Sequence, residues 1–594
     1  MPSDSIVDPA ERSSGTSDGS LPRYLLALLV IFFSALPYLP ALSYGFVYDD
    51  DQQVLANPLI RSWHFVPSYF GSPVGAFYNP ANSAAYYRPL FSLWFRLNYF
   101  LFGSHPLGWH ALAIGVHVLA ALLVFFLFIR YFSNAWIAAG AAVIFGVHPI
   151  HIESVAWVSG VTDALMAVAL LGSLLLWMKS VESSRKIFLS ASLVCFASAL
   201  LIKETAIVLP AILFAHALAG IPAIGPRRQS IPQKSAGAIR AMLPYLVLAG
   251  LYLALRLLVL HGFHRQASWT STRTVVLSAP WLLAVYLRHL IWPAGLSLFH
   301  DFAAVTNLSS VRFWLPLFSF AVLALAIALW CVRKSDAVLA VACAWIIFPL
   351  LPVIDFALFQ RDDFLHDRYL YLSALGFAAI AALCLQALGR SSLAKTAPNL
   401  GVVLFLALIL SLGLSATVQS WPWKNNLLLY TRAVQCAPEN TMARNNLASE
   451  YTLRERFDEA ANLLQSVLSD RPNFWLANYN YGYISYKTHN FVMAEEYLRR
   501  AVAIDPTDPD QYVYLGLTLF REGKSVDAVP MLQAAIQRRP DGIGYHYVLG
   551  MILQSQENLR GAADEYRAEL RYNPADGAAR TQLSIVERQL SGLH

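Results

Sequence analysis

The 594-residue chain is 57% hydrophobic and only 13% charged, about half the usual charged fraction of roughly 25%. That composition places much of the chain in lipid. A net charge of +6 spread along the sequence gives no concentrated basic face for nucleic acid. The five cysteines show no paired or regular spacing, which argues against a disulfide framework and against a zinc site.

Residues 1–20, rich in Ser, Thr, Asp and Gly, read as a disordered tail. Apolar runs of spanning or near-spanning length follow at about 24–42, 110–130, 133–150, 163–178, 187–202, 205–220, 241–261, 312–332, 336–354, 369–389 and 400–418. No small-residue cleavage site follows the first run, so it reads as a retained span and not as a signal peptide. A further run, "PWLLAVYLRHLIWP" at 280–293, is short and carries Arg288 and His289. It reads as re-entrant or interfacial, because crossing a bilayer takes about 20 apolar residues.

Eleven spans with the N-terminus inside satisfy the positive-inside rule. The inner loops then hold Arg130, then Lys179, Arg185 and Lys186, then Arg227, Arg228, Lys234 and Arg240, then Arg333 with Lys334, and finally Arg390 with Lys395. Counting 280–293 as a twelfth span would move the last two groups outside. Eleven spans leave the C-terminal region on the extracytoplasmic side.

On that same outer side the topology collects the unusual polar segments. The first outer loop, 43–109, opens with "FVYDDDQQVLANPLI". Later outer turns hold "HPIHIESVAWVSGVTD" (148–163) and "KET" (203–205), and "HDRYLYL" (366–372) enters a span from the same face. Ionisable groups at membrane depth are costly and point to a functional cavity.

After the last span, Pro438, Pro472, Pro506, Pro540 and Pro574 recur every 34 residues, the tetratricopeptide period. Ala460, Ala494, Ala528 and Ala562 recur at the position where the two helices of each hairpin cross. Full repeats are expected at about 441–474, 475–508, 509–542 and 543–576, within a domain spanning 421–594. Such a solenoid of hairpins presents a surface for peptides or proteins.

Chemistry is expected on the outer face. In an acidic pair one carboxyl holds its proton more tightly, which suits a general base near neutral pH. The stretch "YYRPLFSLWFRLNYFLFG" (86–103) resembles an interfacial amphipathic helix, and the fork of donors on Arg88 suits a lipid phosphate. Lys203 beside Glu204 and Arg368 beside Asp367 read either as ion pairs that lock helix ends or as cations for a leaving phosphate. His148, His151 and Glu153 have a spacing close to that of helical metal ligands, but Pro149 interrupts it. Cavity lining or acceptor contact is the preferred reading for these three, and also for Asp163 and Glu204. No metal or other cofactor is expected.

Taken in order, "GFVYDDDQQVLANPLI", "YYRPLFSLWF", "HPIHIESVAWVSGVTD", "LLIKETAIVLP", "LIWPAGLSLFHDF" and "DRYLYLSALGF", followed by the repeats, resemble the transmembrane and tetratricopeptide-repeat protein O-mannosyltransferases of the GT-C superfamily. The resemblance implies an all-α fold, with a GT-C-type helical membrane domain over 21–420 followed by a tetratricopeptide α-solenoid. It also implies a polyprenyl-phosphate sugar donor, inverting transfer to a Ser or Thr hydroxyl, and an acidic pair in the first outer loop. Asp49 and Asp50 match that pair, either one as the base, while Asp51 stands outside it. Arg88, Arg368 and Lys203 are the expected contacts of the donor phosphate.

The partners expected are therefore the lipid donor, membrane lipids and a polypeptide acceptor held by the repeats. The compact chain and short repeat array favour a bacterial inner membrane with the site facing the periplasm. In a eukaryote the site would face the endoplasmic reticulum lumen. Two other readings stay open from sequence: a non-enzymatic membrane scaffold that displays its repeats, and a transferase acting on a lipid or polysaccharide.

Overall fold

Backbone in lipid has no water to bond, so an apolar chain must satisfy its amides internally, as helices. The computed structural model describes residues 22–74, 86–221, 231–261, 269–334 and 336–592. Among them the regular structure is helical, apart from an isolated bridge between Gln360 and Asp363. The expected disordered tail, residues 75–85 of the first outer loop and the pair Arg227–Arg228 lie outside these residues. The chain divides into two compact units. The first takes the sequence up to 296 with 304–358 and 367–424, and the second takes 297–303, 359–366 and 425–594.

In the first unit, among the described residues, seven helices are long and apolar enough to cross a membrane. The bent pair Ala135–Gly146 and Pro149–Ala156, a broken span or a re-entrant loop, turns by 50° where Pro149 lacks an N–H to continue the ladder. Lys186–Ile202, Glu204–Ala219, Ala337–Val353 and Ser373–Gly389 are shorter apolar helices. The chain is thus a multi-pass membrane protein. Val311–Lys334 turns Trp314, Leu315, Phe318 and Leu325 outward, a surface suited to lipid and not to water.

The stretch 280–293 is longer than the sequence suggested, for it belongs to the 20-residue helix Thr272–Ile291, which passes the length test for a span. Pro280 lies within that helix and hid its apolar first turns, around Val275 to Leu277. Both ends of the helix nevertheless meet one connecting segment. Trp269, just before it, packs on Phe356 at 5.7 Å between ring centres, and His289 near its end bonds Asp367 at 3.0 Å.

The second unit is a tetratricopeptide-repeat domain. Its hairpins are Thr441–Leu453 with Phe457–Asp470, Trp475–Lys487 with Phe491–Ile504, Pro509–Arg521 with Ser525–Arg538, and Tyr545–Ser555 with Leu559–Tyr572. Asn426–Cys436 leads and Gly577–Ser591 trails. Ala460, Ala494, Ala528 and Ala562 are fully buried at the crossings. Gly516 shows how tight these crossings are, since a Cβ there would stand 2.0 Å from the Leu532 side chain.

Two short segments that connect membrane helices fold into this unit. Asp362, held at φ 68°, a conformation that Asp tolerates better than most residues, anchors the first repeat. Its carboxylate accepts from Thr441 Oγ1 at 2.6 Å and from Arg471 at 2.8 Å, while its carbonyl accepts from Asn440 at 2.7 Å. Asp362→Ala should therefore loosen the helix Thr441–Leu453 by about 1–3 kcal/mol, the usual cost of unpaired polar groups. Hydrogen exchange of that helix measures it, and unchanged protection would mean the anchor carries no stability.

Candidate active site

The acidic stretch begins where the first span ends. Tyr48 takes a left-handed φ of 56°, which reverses the chain and separates the three acids. Asp51 is exposed, Asp49 half-buried and Asp50 fully buried. The Asp50 carboxylate accepts from Val47 N at 3.1 Å, from Ser159 N at 2.9 Å and from Ser159 Oγ at 2.5 Å. Asp50 thereby ties the first outer loop to the "VSGVTD" turn. Asp49 accepts from Gln53 Nε2 at 3.3 Å. Gln53 in turn borders a small cavity of about 30 Å³ shared with Asn57, Ser68, Tyr69 and Phe91, room for a water.

Burial raises the Asp50 carboxyl to about 7, against its hydrogen bonds from Ser159 and Val47. A folded value above the unfolded 3.8 means that the fold binds the extra proton between those limits. Stability is then lost as pH rises from about 4 through about 7, and is level above that. Thermal melts in nanodiscs from pH 4 to 8 should show this slope, and Asp50→Asn should flatten it. An equal slope in the variant would assign the effect to another group.

Three cations and three acids form pairs next to this turn. The preference of a pre-proline residue for extended backbone keeps Arg88 outside the helix Pro89–Phe102. From there it grips Glu204 through two bonds, of 3.0 and 2.6 Å, with Tyr86 beneath it at 4.3 Å. Lys203 Nζ meets both Asp163 oxygens at 2.7 and 2.6 Å, with both side chains almost fully buried. Arg368 pairs with Glu153 through its guanidinium, and its backbone N–H donates to the same carboxylate at 3.0 Å.

The Tyr369 ring joins the Lys203 and Arg368 pairs, with Lys203 Nζ 5.1 Å and the Arg368 guanidinium 5.5 Å from its centre. Arg368 also lies 5.1 Å over Trp157, and Trp157 packs on Tyr48 at 5.5 Å. A small cavity lined by Asp163, Met166, Thr205, Pro349, Val353, Tyr369 and Leu372 adjoins the cluster. Each cation is thus held in place by a carboxylate of the fold, and fixed cations of this kind can stabilise a developing negative charge.

The sequence-adjacent pairs Lys203–Glu204 and Asp367–Arg368 do not form. Neighbouring residues at these helix ends diverge, so each side chain finds a partner from another segment, and Asp367 bonds His289. His148 and His151 turn into the helix core. His148 bonds Leu290 O at 3.0 Å and accepts from Ile150 N at 3.2 Å. His151 lies among Tyr371, Phe145 and His117, at 4.4, 4.6 and 5.0 Å between ring centres. The protein itself therefore takes up both nitrogens of His148 and the carboxylate of Glu153.

Sequence reading passed over Ser159, Gln53, Trp157 and Tyr369, although all four sit inside the polar segments it had singled out.

The tetratricopeptide repeat family matches residues 445–509 and 513–579. The protein O-mannosyl-transferase F38B6.6 of Caenorhabditis elegans is 27% identical over 463 residues, covering 74% of this chain and 62% of its own. The protein O-mannosyl-transferase TMTC3 of Mus musculus is 24% identical over 604 residues, covering 92% of this chain and 64% of its own. A solved structure, YrrB, a TPR protein with an unusual peptide-binding site, aligns over 32% of this chain and 97% of its own at 19% identity and a TM-score of 0.24. The chain spans somewhat under two thirds of the length of these two curated relatives. Through its membrane helices and its repeats alike, the chain is a relative of the transmembrane and tetratricopeptide-repeat protein O-mannosyl-transferases.

Proposed function

We propose that the chain is an inverting glycosyltransferase that moves a sugar, mannose on this reading, from a polyprenyl-phosphate donor to Ser or Thr hydroxyls of exported polypeptides. Residues 21–420 carry the chemistry and 421–594 hold the acceptor. The observation that carries this reading is the convergence of Lys203 and Arg368 on Tyr369, with Arg88 close enough to Lys203 to act on it electrostatically, beside a turn that carries a half-buried carboxylate.

Asp49 is the base. The assignment rests on its partial exposure, against an Asp50 whose two oxygens already accept three bonds. Asp49 takes the acceptor's hydroxyl proton as that oxygen attacks the anomeric carbon. The bond from that carbon to the phosphate oxygen breaks on the opposite face, and the lipid phosphate leaves with the electron pair. Its charge is met by the three arginine and lysine side chains, so the leaving side needs no general acid. Glu153, Asp163 and Glu204 hold those cations in position, and Asp50 holds the loop.

The site faces the extracytoplasmic side, in keeping with the distribution of Lys and Arg. Residues 359–366 fold with the repeats and lead within two residues into Arg368.

The test uses purified protein in nanodiscs with a synthetic polyprenyl-phosphate mannose and a Ser/Thr-rich peptide. Transfer with inverted configuration is expected. Sugar appearing only on a lipid or polysaccharide, or a folded protein with no transfer at all, would overturn the reading. Arg88→Ala should weaken donor binding about 10–100-fold, the worth of a charged hydrogen bond, and leave peptide binding unchanged. An unaltered donor affinity would remove Arg88 from the phosphate site.

A further inference from the structure

The first helices of successive repeats lie side by side and form the row that a solenoid offers to ligands. On this row Tyr479, Tyr483 and Tyr486 recur at helical spacing, so they share one face of Trp475–Lys487. Tyr514 of the next repeat meets all three, with ring centres at 6.2, 4.7 and 5.9 Å. The Tyr479 and Tyr483 rings are nearly parallel, at 25°, while Tyr514 stands across Tyr483 at 81°. All four rings keep part of their surface exposed, while Tyr479, Tyr486 and Tyr514 also pack against the core of the repeats.

Carboxylates border the rings. Asp508 and Asp510 are close enough to Tyr479 to act on it electrostatically. Asp510 is already engaged, since the Tyr545 hydroxyl donates to it and Arg539 stands 3.9 Å away. Asp508 caps the helix Pro509–Arg521, accepting from Asp510 N at 2.9 Å. Burial raises its carboxyl, against the pull of the nearby Arg539, a sign that its charge is poorly solvated.

Aromatic faces and a poorly hydrated carboxylate both favour a cation, and a polypeptide supplies one as a Lys or Arg side chain. We propose that this four-tyrosine cluster, with Asp508, binds a Lys or Arg side chain of the acceptor polypeptide and so selects basic acceptor segments. The proposal deepens the acceptor-binding role assigned to the repeats and rests on it.

The test needs no turnover. Two fluorescein-labelled Ser/Thr peptides, identical except for Lys in one and Gln in the other, are titrated against the full chain in nanodiscs by anisotropy. The Lys peptide should bind about three- to thirtyfold more tightly, and the preference should shrink with added salt. Asp508→Asn and Tyr514→Leu should each bring the two affinities together. Asn is as good a helix cap as Asp, so Asp508→Asn decides the matter even if Tyr514→Leu unfolds the repeat. Equal binding of the two peptides by the unaltered protein overturns the proposal, as does displacement of the peptide by free mannose. Charge-selective binding without sugar transfer would instead support the cluster and overturn the transferase reading.

Discussion

Asp49→Asn is expected to slow sugar transfer by about 10²–10⁴-fold, the usual worth of a positioned proton transfer, with donor affinity unchanged. The change keeps the size of the side chain and its contact with Gln53 Nε2, so loss of rate reports loss of basicity and not of shape. Asp50→Asn should act differently. One of the three donors on Asp50, the Val47 or Ser159 N–H, would face an amide NH₂, and the tie to the "VSGVTD" turn would loosen. Its rate should fall along with stability. Asp51→Asn, at an exposed position, should leave the rate nearly unchanged. With purified protein and a synthetic donor the three are distinguished in one series. Near-normal transfer by Asp49→Asn would remove Asp49 as the base.

The helical hairpins were legible because their signal is local and periodic. Prolines every 34 residues and alanines at the crossings fix the repeat without any knowledge of its neighbours. Apolar helices were legible for the same reason, although several fall short of spanning length and Pro280 hid the start of one that continues through it. The polar segments of the site also stood out, since ionisable groups at helix ends are costly in lipid. Their pairing did not. Arg88 with Glu204, Lys203 with Asp163 and Arg368 with Glu153 join residues between 40 and 215 positions apart, a separation that one sequence leaves unmarked. The folding of 297–303 and 359–366 into the repeat unit was likewise invisible. Its anchor is one short polar loop whose Asp362 has partners in the distant helix Thr441–Leu453.

Lys203 and Asp163 separate a structural role from a chemical one. Both side chains are nearly buried, at 3% and 4% exposure, so removing one leaves an uncompensated charge. Lys203→Met or Asp163→Leu alone should therefore cost about 3–5 kcal/mol of stability, seen as lowered melting in nanodiscs, and each should lose transfer. The double variant Lys203→Met with Asp163→Leu removes both charges and fills their volume with apolar atoms. Such replacements are often neutral or stabilising, so its melting should return to near that of the unaltered chain. Transfer should not return. A pair that only braced the helix ends would be replaceable by packing, whereas a cation that meets the leaving phosphate would not. In the double variant, donor binding should stay weakened while the binding of the acceptor peptide recovers with the fold. Recovery of transfer along with stability would make the pair structural and leave the phosphate to Arg88 and Arg368 alone.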